Sequence, residues 1–397
     1  MRTKVKLKSG ISLIVLVITI IVMIILAAAI ILSLSNSGII SKANKAKTDS
    51  DTANLKEYVN TLRAEWELMT AEEQTAEGSF EAYANKKLEE SGYKGAVGAD
   101  GEVYANLNEN AMSAIRAGIK VGDVVTGYRV VASTYTTDGS ENTYDTEKYT
   151  ETDPQPQTVT TNTDITWKYL GVNANGELEI MAVLSEKDAI TDTADKQLKV
   201  KLSGKGGYLK GPEMLNTICE KLYSVSGVGT ARSMNIDDVN NILGYTGEKG
   251  AYYDSSTNYT PTKEVKTIAA LESKLGTTLS NRTTPDGKEL GTYYADCYEI
   301  NKTNDVKEMK NPGNRELVYN AKNRYWLASP CVEASFNGDS YAGFCVRYVT
   351  STSVNANYLF ISNGGFGCPT CAVRPVVSLK SNIQLEQNTE KTAWVIK

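Results

Sequence analysis

Hydrophobic residues form one long unbroken run near the start of the chain. Residues 11–34 are 24 consecutive positions without a charged side chain, and residues 1–10 carry four basic side chains and no acidic ones. At about 1.5 Å per residue, a helix over this run would extend about 36 Å, which exceeds the roughly 30 Å hydrocarbon core of a bilayer. The pattern predicts a transmembrane helix over residues 11–34, with residues 1–10 in the cytoplasm and the rest of the chain outside the cell.

The apolar pattern changes after this run. Over residues 35–70, hydrophobic residues recur at spacings of three and four among charged ones, which predicts an amphipathic continuation of the first helix. The apolar stripe consists of Leu55, Val59, Leu62, Trp66 and Met69. Such a stripe fits either a long spine helix or a helix that packs against the chain's own head.

Shorter periodic segments divide the rest of the chain. Residues 71–117 are predicted to form connecting helices and a hairpin, residues 118–204 a β-rich subdomain, and residues 205–385 a further domain. Residues 133–164 are rich in Thr, Asp and Tyr and almost free of aliphatic side chains, which predicts a poorly ordered polar loop. The predicted fold class is α+β, with a long N-terminal transmembrane helix followed by a mixed, β-rich head.

Two local motifs give sharper predictions within the head. In "GPEMLNTICEKLYSV", Leu215, Ile218, Cys219 and Leu222 recur at helical spacing, so Cys219 is expected to face the core as a small hydrophobic residue. The motif "NANGE" between two apolar segments predicts a tight turn that joins two strands.

The segment "KSGISLIVLVITIIVMIILAAAI" resembles the N-terminus of type IV pilin-like prepilins. The resemblance implies cleavage between Gly10 and Ile11, retention of the apolar helix and contact with other pilin subunits. Val15 stands where the family pattern has a Glu that aids subunit assembly. The expected location is the cell membrane, as a single-pass protein with an extracellular head, or a cell-surface pilus after leader cleavage. An ordinary uncleaved anchor is the alternative.

Composition excludes several classes of function. The chain has no histidine, which excludes histidine bases, Ser-His-Asp and Cys-His catalysis, and histidine metal ligands. The net charge is −5 and no basic block follows the N-terminal segment, so nucleic acid is not expected as a partner. We expect neither an enzyme nor a bound cofactor.

The C-terminal block 325–379 contains "YWLAS", "GFCVRYV" and "AVRPVVSL". It resembles proteins with a C-type-lectin-like fold of the formylglycine-generating-enzyme kind, and is most similar to the variable proteins of diversity-generating retroelements. The resemblance extends over residues 205–385. It implies that selected positions of the final lobe are rewritten by adenine-specific mutagenesis and form a ligand-binding face.

The composition of residues 331–371 agrees with such rewriting. Mutation of both adenines of an AAY codon cannot produce Lys, Met or Trp, and this 41-residue window contains none of them. Phe and Cys are both reachable, and the window holds four of the five Phe and four of the six Cys. Glu333 is unreachable and would have to be fixed. The alternative is a β-rich lobe that is simply poor in Lys and rich in aromatic residues.

The resemblance and the compositional bias together predict which residues contact ligand and which support them. The predicted ligand-binding face comprises Cys331, Ser335, Phe336, Asn337, Asp339, Ser340, Tyr341, Cys345, Ser351, Thr352, Ser353, Asn355, Asn357, Tyr358, Asn363, Phe366, Cys368, Pro369, Thr370 and Cys371. Trp326, Arg347 and Arg374 are expected to form the scaffold, the arginines through buried, multiply hydrogen-bonded or carboxylate-paired contacts.

The cysteines of this window have three interpretations. In a histidine-free chain a zinc site would need four thiolates, which Cys331, Cys345, Cys368 and Cys371 could supply. A Cys368–Cys371 disulfide is a second possibility in an oxidising compartment. The interpretation that we favour is that these cysteines are surface contact residues at rewritten positions, with no metal.

These observations favour a cell-surface or pilus-displayed binding protein of the adhesin or receptor type. Its partner would be a protein or glycan on another cell, a phage or a host surface, and Tyr and Phe would supply contact area. The main alternative is a structural minor pilin or pseudopilin of a secretion or DNA-uptake system, without diversification. A cysteine- and copper-dependent enzyme related to the formylglycine-generating enzyme is a third hypothesis.

Overall fold

The computed structural model describes residues 39–145, 150–183, 199–247, 258–259, 298–319, 324–337, 339–361, 364–365 and 370–397. These residues divide into two compact units. The first unit comprises the described residues up to Ala96 together with Val103–Asn106, and the second comprises Val97–Glu102 and Leu107–Lys397.

The first unit contains three helices and a short strand pair. Its elements are α1 (Ile39–Leu68), α2 (Ala71–Glu77), α3 (Phe80–Glu90), β1 (Gly95–Val97) and β2 (Val103–Ala105). Thr70 begins α2 with a capping box, because its hydroxyl accepts from the amide of Glu73 while the Glu73 carboxylate accepts from the amide of Thr70.

Helix α1 confirms the predicted amphipathic pattern over its described length. Leu55, Val59 and Leu62 are buried, and Trp66 is half-buried and contacts the rings of Phe80 and Tyr83 on α3. The stripe therefore packs on α3 of its own unit, within residues 71–117 that the sequence assigned to connecting helices and a hairpin, and neither interpretation named this partner.

The prediction of a long apolar helix is corrected. Among the described residues, no helix is both long and apolar enough to span a bilayer. The described chain is a mixed α/β protein with several sheets, which corrects the predicted fold class, and nothing in the described residues corresponds to the predicted transmembrane helix or supports the membrane or pilus location. Helix α1 is the longest described helix, and charged and polar side chains interrupt its sequence throughout. Residues 1–34, including Gly10, Ile11 and Val15, lie outside the described residues.

Among its described residues, the second unit contains four helices, two short 3-10 turns and most of the strands. The helices are α4 (Glu109–Arg116), α5 (Gly204–Tyr223), α6 (Ile236–Leu243) and α7 (Arg315–Val318), and the 3-10 turns are Val306–Glu308 and Pro312–Asn314. The strands are β3 (Val124–Thr126), β4 (Thr134–Thr136), β5 (Tyr144–Asp145), β6 (Thr150–Glu151), β7 (Thr158–Thr160), β8 (Thr166–Val172), β9 (Leu178–Val183), β10 (Lys199–Lys201), β11 (Gly229–Ser233), β12 (Asn258–Tyr259), β13 (Ile300–Asn301), β14 (Tyr325–Asn337), β15 (Asp339–Val349), β16 (Ser353–Ile361), β17 (Gly364–Gly365), β18 (Thr370–Ala372), β19 (Pro375–Leu379), β20 (Leu385–Gln387) and β21 (Trp394–Ile396).

Two larger sheets organise this unit. The seven-stranded sheet has the order β11-β19-β9-β8-β3-β21-β20. The eight-stranded sheet has the order β10-β18-β14-β15-β16-β13, with β12 paired to β14 and β17 paired to β16. Strands β8 and β9 therefore share a sheet with β11 and β19, and the structure does not separate residues 118–204 from residues 205–385 as compact units.

The two local predictions within the head are confirmed. The turn between β8 and β9 is tight, because the side chain of Asn173 accepts from the amides of Asn175 and Glu177. Helix α5 buries Leu215, Ile218 and Cys219, and it contacts strands of both larger sheets.

The polar segment 133–164 is more ordered than predicted. It forms two short antiparallel pairs, β4 with β7 and β5 with β6, although residues 146–149 lie outside the description. Polar side chains are buried here because they bind one another: the Oε1 atom of Glu141 accepts from Thr137 and from Gln157. Gly139 has φ +81°, and an added Cβ there would lie 2.5 Å from the backbone nitrogen of Pro156, so the turn requires glycine.

Candidate functional site

The eight-stranded sheet holds most of the predicted ligand-binding face. Four of its strands and one turn carry these residues. They are Cys331, Ser335, Phe336 and Asn337 on β14; Asp339, Ser340, Tyr341 and Cys345 on β15; Ser353, Asn355, Asn357 and Tyr358 on β16; Thr370 and Cys371 on β18; and Ser351 and Thr352 in the turn before β16. Asn363, Phe366, Cys368 and Pro369 lie outside the described residues.

The predicted residues do not form one continuous patch. Asn337 and Asp339 lie at the tip of the β14–β15 hairpin, whereas Ser351 and Thr352 lie in the turn at the other end of β15. The ten residue steps of β15 correspond to about 33 Å at the usual rise of a strand. A single small ligand therefore cannot contact both ends.

The cysteines of the sheet are not surface contact residues. Cys331, Cys345 and Cys371 are only 1%, 0% and 0% exposed. The first two lie opposite each other on β14 and β15, and Ala356 and Tyr358 pack against them. Ser353 is buried as well. The expectation that these four residues would contact a ligand is corrected by their burial.

The register also argues against the four-cysteine zinc site. Strand β18 pairs with the start of β14, where Ala372 lies opposite Tyr325. Because β14 is bulged, the β15 partners of Tyr325 and Cys331 are Val349 and Cys345, four residues or about 13 Å apart at the usual strand rise. Zinc–sulfur bonds are about 2.3 Å long, so Cys371 cannot share a zinc ion with Cys331 in this arrangement.

The predicted scaffold residues lie beneath the sheet surface. Trp326 is fully buried, and its indole nitrogen donates to the carbonyl oxygen of Val200 at 2.8 Å. Arg347 is also buried, donates to the carbonyl oxygen of Tyr298 at 2.7 Å and lies 4.2 Å from the centre of that ring.

Arg374 is buried in a similar way. Its Nε atom donates to the carbonyl oxygen of Ala182 at 2.8 Å, and its Nη1 atom donates to the hydroxyl oxygen of Tyr325 at 2.9 Å. Its guanidinium is therefore held by oxygen acceptors on β9 and β14.

A partly exposed polar patch lies on the eight-stranded sheet, close to the point where the start of β14 pairs with β18. Tyr348 is the cross-strand partner of Trp326 on one side and of Asn355 on the other. The Tyr348 side chain hydrogen-bonds Asn357, and the Arg324 side chain donates to the carbonyl oxygen of Thr370 at 3.1 Å. We call Tyr348, Asn355, Asn357, Thr370 and Arg324 the tyrosine–asparagine patch. Arg324 is exposed and the other four residues are half-buried.

The surroundings of Tyr348 in the patch shift the pKa of its hydroxyl in opposite directions. Burial is the largest cause that raises the pKa of Tyr348, and Cys371 also raises it, whereas Arg324 and the hydrogen bond with Asn357 lower it. The hydroxyl therefore remains protonated near neutral pH and can both donate and accept a hydrogen bond.

Sequence reasoning missed two members of this patch. Tyr348 lies in the motif "GFCVRYV" and Arg324 directly precedes the motif "YWLAS", and neither residue was predicted for the binding face or the scaffold. Strand alternation was the available signal, because residues adjacent to Arg347 and Tyr325 along a strand point to the opposite face of the sheet.

Comparison with protein-family models, with curated proteins and with solved structures finds no match to this chain.

Proposed function

We propose that this protein is a non-catalytic ligand-binding protein whose binding face is the tyrosine–asparagine patch of its C-terminal lobe. The observation that carries the proposal is the partly exposed cluster of Tyr348, Asn355 and Asn357 on the adjacent strands β15 and β16, with Arg324 and its acceptor Thr370 on the β14 and β18 side.

The chemistry of these side chains suits recognition without a reaction. Tyrosine offers a large rigid surface with a polar tip at low cost in conformational entropy. Asparagine and threonine both donate and accept hydrogen bonds, so they adapt to different partners. A ligand with hydroxyl or amide groups and some negative charge, on a glycan or a protein, would complement the patch.

Buried groups next to the patch support its rigidity. Trp326 lies edge-on to Tyr348, with 6.2 Å between ring centroids. Rigid support lowers the ordering cost of binding, so a site on paired strands can hold its geometry while its surface residues vary.

The composition of residues 331–371 supports a diversified version of this face. Asn355, Asn357 and Thr370 are all types that an AAY codon can reach, and they are half-buried rather than enclosed. The proposed retroelement-diversified positions are therefore the half-buried polar ones, and not the buried cysteines.

The proposal is tested with the purified full chain on a printed glycan array and on bacterial cells before and after surface proteolysis. Binding is expected to weaken at least tenfold in Asn355→Ala/Asn357→Ala and in Tyr348→Ala. Thr166→Ala, at an exposed threonine on β8 of the seven-stranded sheet, is the control and is expected to bind like the wild type. Loss of cell binding after proteolysis would identify a protein ligand, whereas retention with array signal would identify a glycan.

Two results would contradict the proposal. One is equal binding by the wild type and both patch variants, provided that circular dichroism shows them folded. The other is the absence of binding to any array component and to any cell.

A further inference from the structure

Cys331 and Cys345 lie directly opposite each other in the register of β14 and β15. Opposite residues of an antiparallel pair have Cα atoms about 4.5 to 5.5 Å apart, whichever hydrogen-bonding position they occupy. A disulfide needs Cα atoms about 4.4 to 6.8 Å apart. The register therefore meets the distance requirement of a disulfide without movement of the backbone.

The two side chains also share one environment. Cys331 and Cys345 are buried and form a common apolar cluster, against which Ala356 and Tyr358 pack. Tyr358 is the cross-strand partner of Cys345 on β16, so the two sulfurs and one aromatic ring form a row across three strands. Both cysteines are thiols in this structure.

The other described cysteines are not placed to compete. Cys371 is on β18, opposite Val200 of β10, and β18 meets β14 at Tyr325, which lies about 13 Å from Cys331 when measured along the paired strand β15. Cys219 is on α5, where its neighbours include Ser233 and Arg232 of the seven-stranded sheet.

We propose that Cys331 and Cys345 form a cross-strand disulfide when the chain meets a small-molecule disulfide oxidant. The thiolate of one cysteine attacks the oxidant's sulfur–sulfur bond, forms a mixed disulfide and releases one thiol. The second cysteine thiolate then attacks the protein sulfur and releases the other thiol. The two protein thiols lose two protons and two electrons, and the oxidant is reduced to two thiols.

The bond would fix the register of the β14–β15 hairpin. It would close a short loop around the hairpin tip at 337–339, within the segment that carries eight of the predicted face residues. Because both sulfurs are buried, the bond would form as the hairpin assembles or opens, and would then be shielded from reductants. The cysteines of this segment would hold the binding lobe rather than contact its ligand.

Trypsin places the two candidate cysteine pairs of this segment on separate peptides. Residues 325–347 form one tryptic peptide that contains only Cys331 and Cys345, and residues 348–380 form another that contains only Cys368 and Cys371. The full chain is refolded from reductant into oxidised glutathione, unfolded, alkylated with iodoacetamide and digested for mass spectrometry. The expected result is a peptide 325–347 that is unalkylated and lighter by two hydrogen atoms.

Variants and a second readout complete the test. Cys371→Ala should leave the closed peptide unchanged, whereas Cys345→Ala should leave Cys331 alkylated or joined to glutathione. The melting temperature should be higher in oxidised than in reduced glutathione for the wild type and Cys371→Ala, but not for Cys345→Ala. Full alkylation of peptide 325–347, or a disulfide confined to peptide 348–380, would overturn the proposal.

Discussion

The guanidinium of Arg374 lies against the side chain of Tyr325, with 4.9 Å between its central carbon and the ring centroid and 2.9 Å between Nη1 and the hydroxyl oxygen. Tyr325 begins β14 of the eight-stranded sheet, whereas the second acceptor of Arg374, the carbonyl oxygen of Ala182, is on β9 of the seven-stranded sheet. This one side chain therefore joins the two larger sheets.

Arg374→Ala is expected to lower the free energy of unfolding by about 3 kcal/mol. The change leaves a buried carbonyl and a buried hydroxyl without their charged donor and opens a cavity between the sheets. Urea denaturation followed by circular dichroism measures the loss. Arg129→Ala, at an exposed arginine of the same unit, is the control and is expected to change stability by less than about 0.5 kcal/mol. Equal losses of unfolding free energy in the two variants would show that the contacts of Arg374 with the two sheets add no stability.

A second prediction concerns Gln157, which joins the polar segment 133–164 to the edge of the eight-stranded sheet. Its side chain accepts from the amide of Lys201 and donates to the carbonyl oxygen of Lys201, both at 2.8 Å, and also donates to Glu141 at 3.0 Å. Gln157→Ala removes all three bonds and is expected to cost about 2 kcal/mol of unfolding free energy, measured by urea denaturation.

Gln155 provides a closely matched control for Gln157. It is exposed, and its side chain donates to the nearby carbonyl oxygen of Asp153. Gln155→Ala is therefore expected to cost less than about 0.5 kcal/mol. Limited proteolysis should cut residues 133–164 faster in Gln157→Ala than in Gln155→Ala, and identical cleavage rates would rule out the anchoring role.

Local sequence patterns predicted local structure well. The three-and-four spacing of Leu55, Val59 and Leu62 identified the buried stripe of α1, and the spacing around Cys219 identified the buried face of α5. Each pattern indicates which side of one element is apolar, whereas the residues that pack on that side are known only from the structure.

The sequence patterns did not predict which distant segments pair with one another. Strand order depends on contacts between residues far apart in sequence, such as Tyr325 opposite Ala372, and no short pattern encodes them. Cys331 and Cys345 are enclosed because Ala356 and Tyr358 of β16 pack against them, so the sequence suggested surface contacts where the structure has a buried pair. The order of segment 133–164 likewise depends on Gln157 and Glu141 reaching distant partners.

A third prediction concerns the pH dependence that Glu179 introduces. Its side chain is buried, accepts from Arg232 at 2.9 Å and accepts from Ser378 at 2.8 Å. Burial raises the pKa of Glu179 above the ordinary value of a glutamate, although Arg232 opposes this shift and Asp238 adds to it. The folded chain therefore holds this proton at pH values where the unfolded chain has released it.

The sign of the effect follows from proton linkage. Because the folded state binds more protons between the two pKa values, the contribution of Glu179 to the unfolding free energy is largest at low pH and falls as the pH rises through this interval. Unfolding of the wild type and Glu179→Gln is measured from about pH 4 to about pH 7. The stability difference, wild type minus variant, is expected to decrease with rising pH. An increase would mean that pairing with Arg232 lowers the pKa of Glu179 more than burial raises it. Glu390→Gln, at an exposed glutamate, is the control for the loss of one carboxylate.

The last prediction tests whether contacts within the first unit stabilise α1, or whether its apolar stripe is stabilised only by contact with another subunit. Leu62 is 2% exposed, whereas Leu68, at the end of the same helix, is 88% exposed, so the chain supplies a matched pair of leucines. Leu62→Ala is expected to cost about 3 kcal/mol through lost burial and a residual cavity, and to accelerate amide hydrogen exchange in α1 by about a hundredfold. Leu68→Ala should leave exchange unchanged. If both variants exchanged like the wild type, the stripe would contribute no stability in the isolated chain, and its burial against α3 would not be what holds α1.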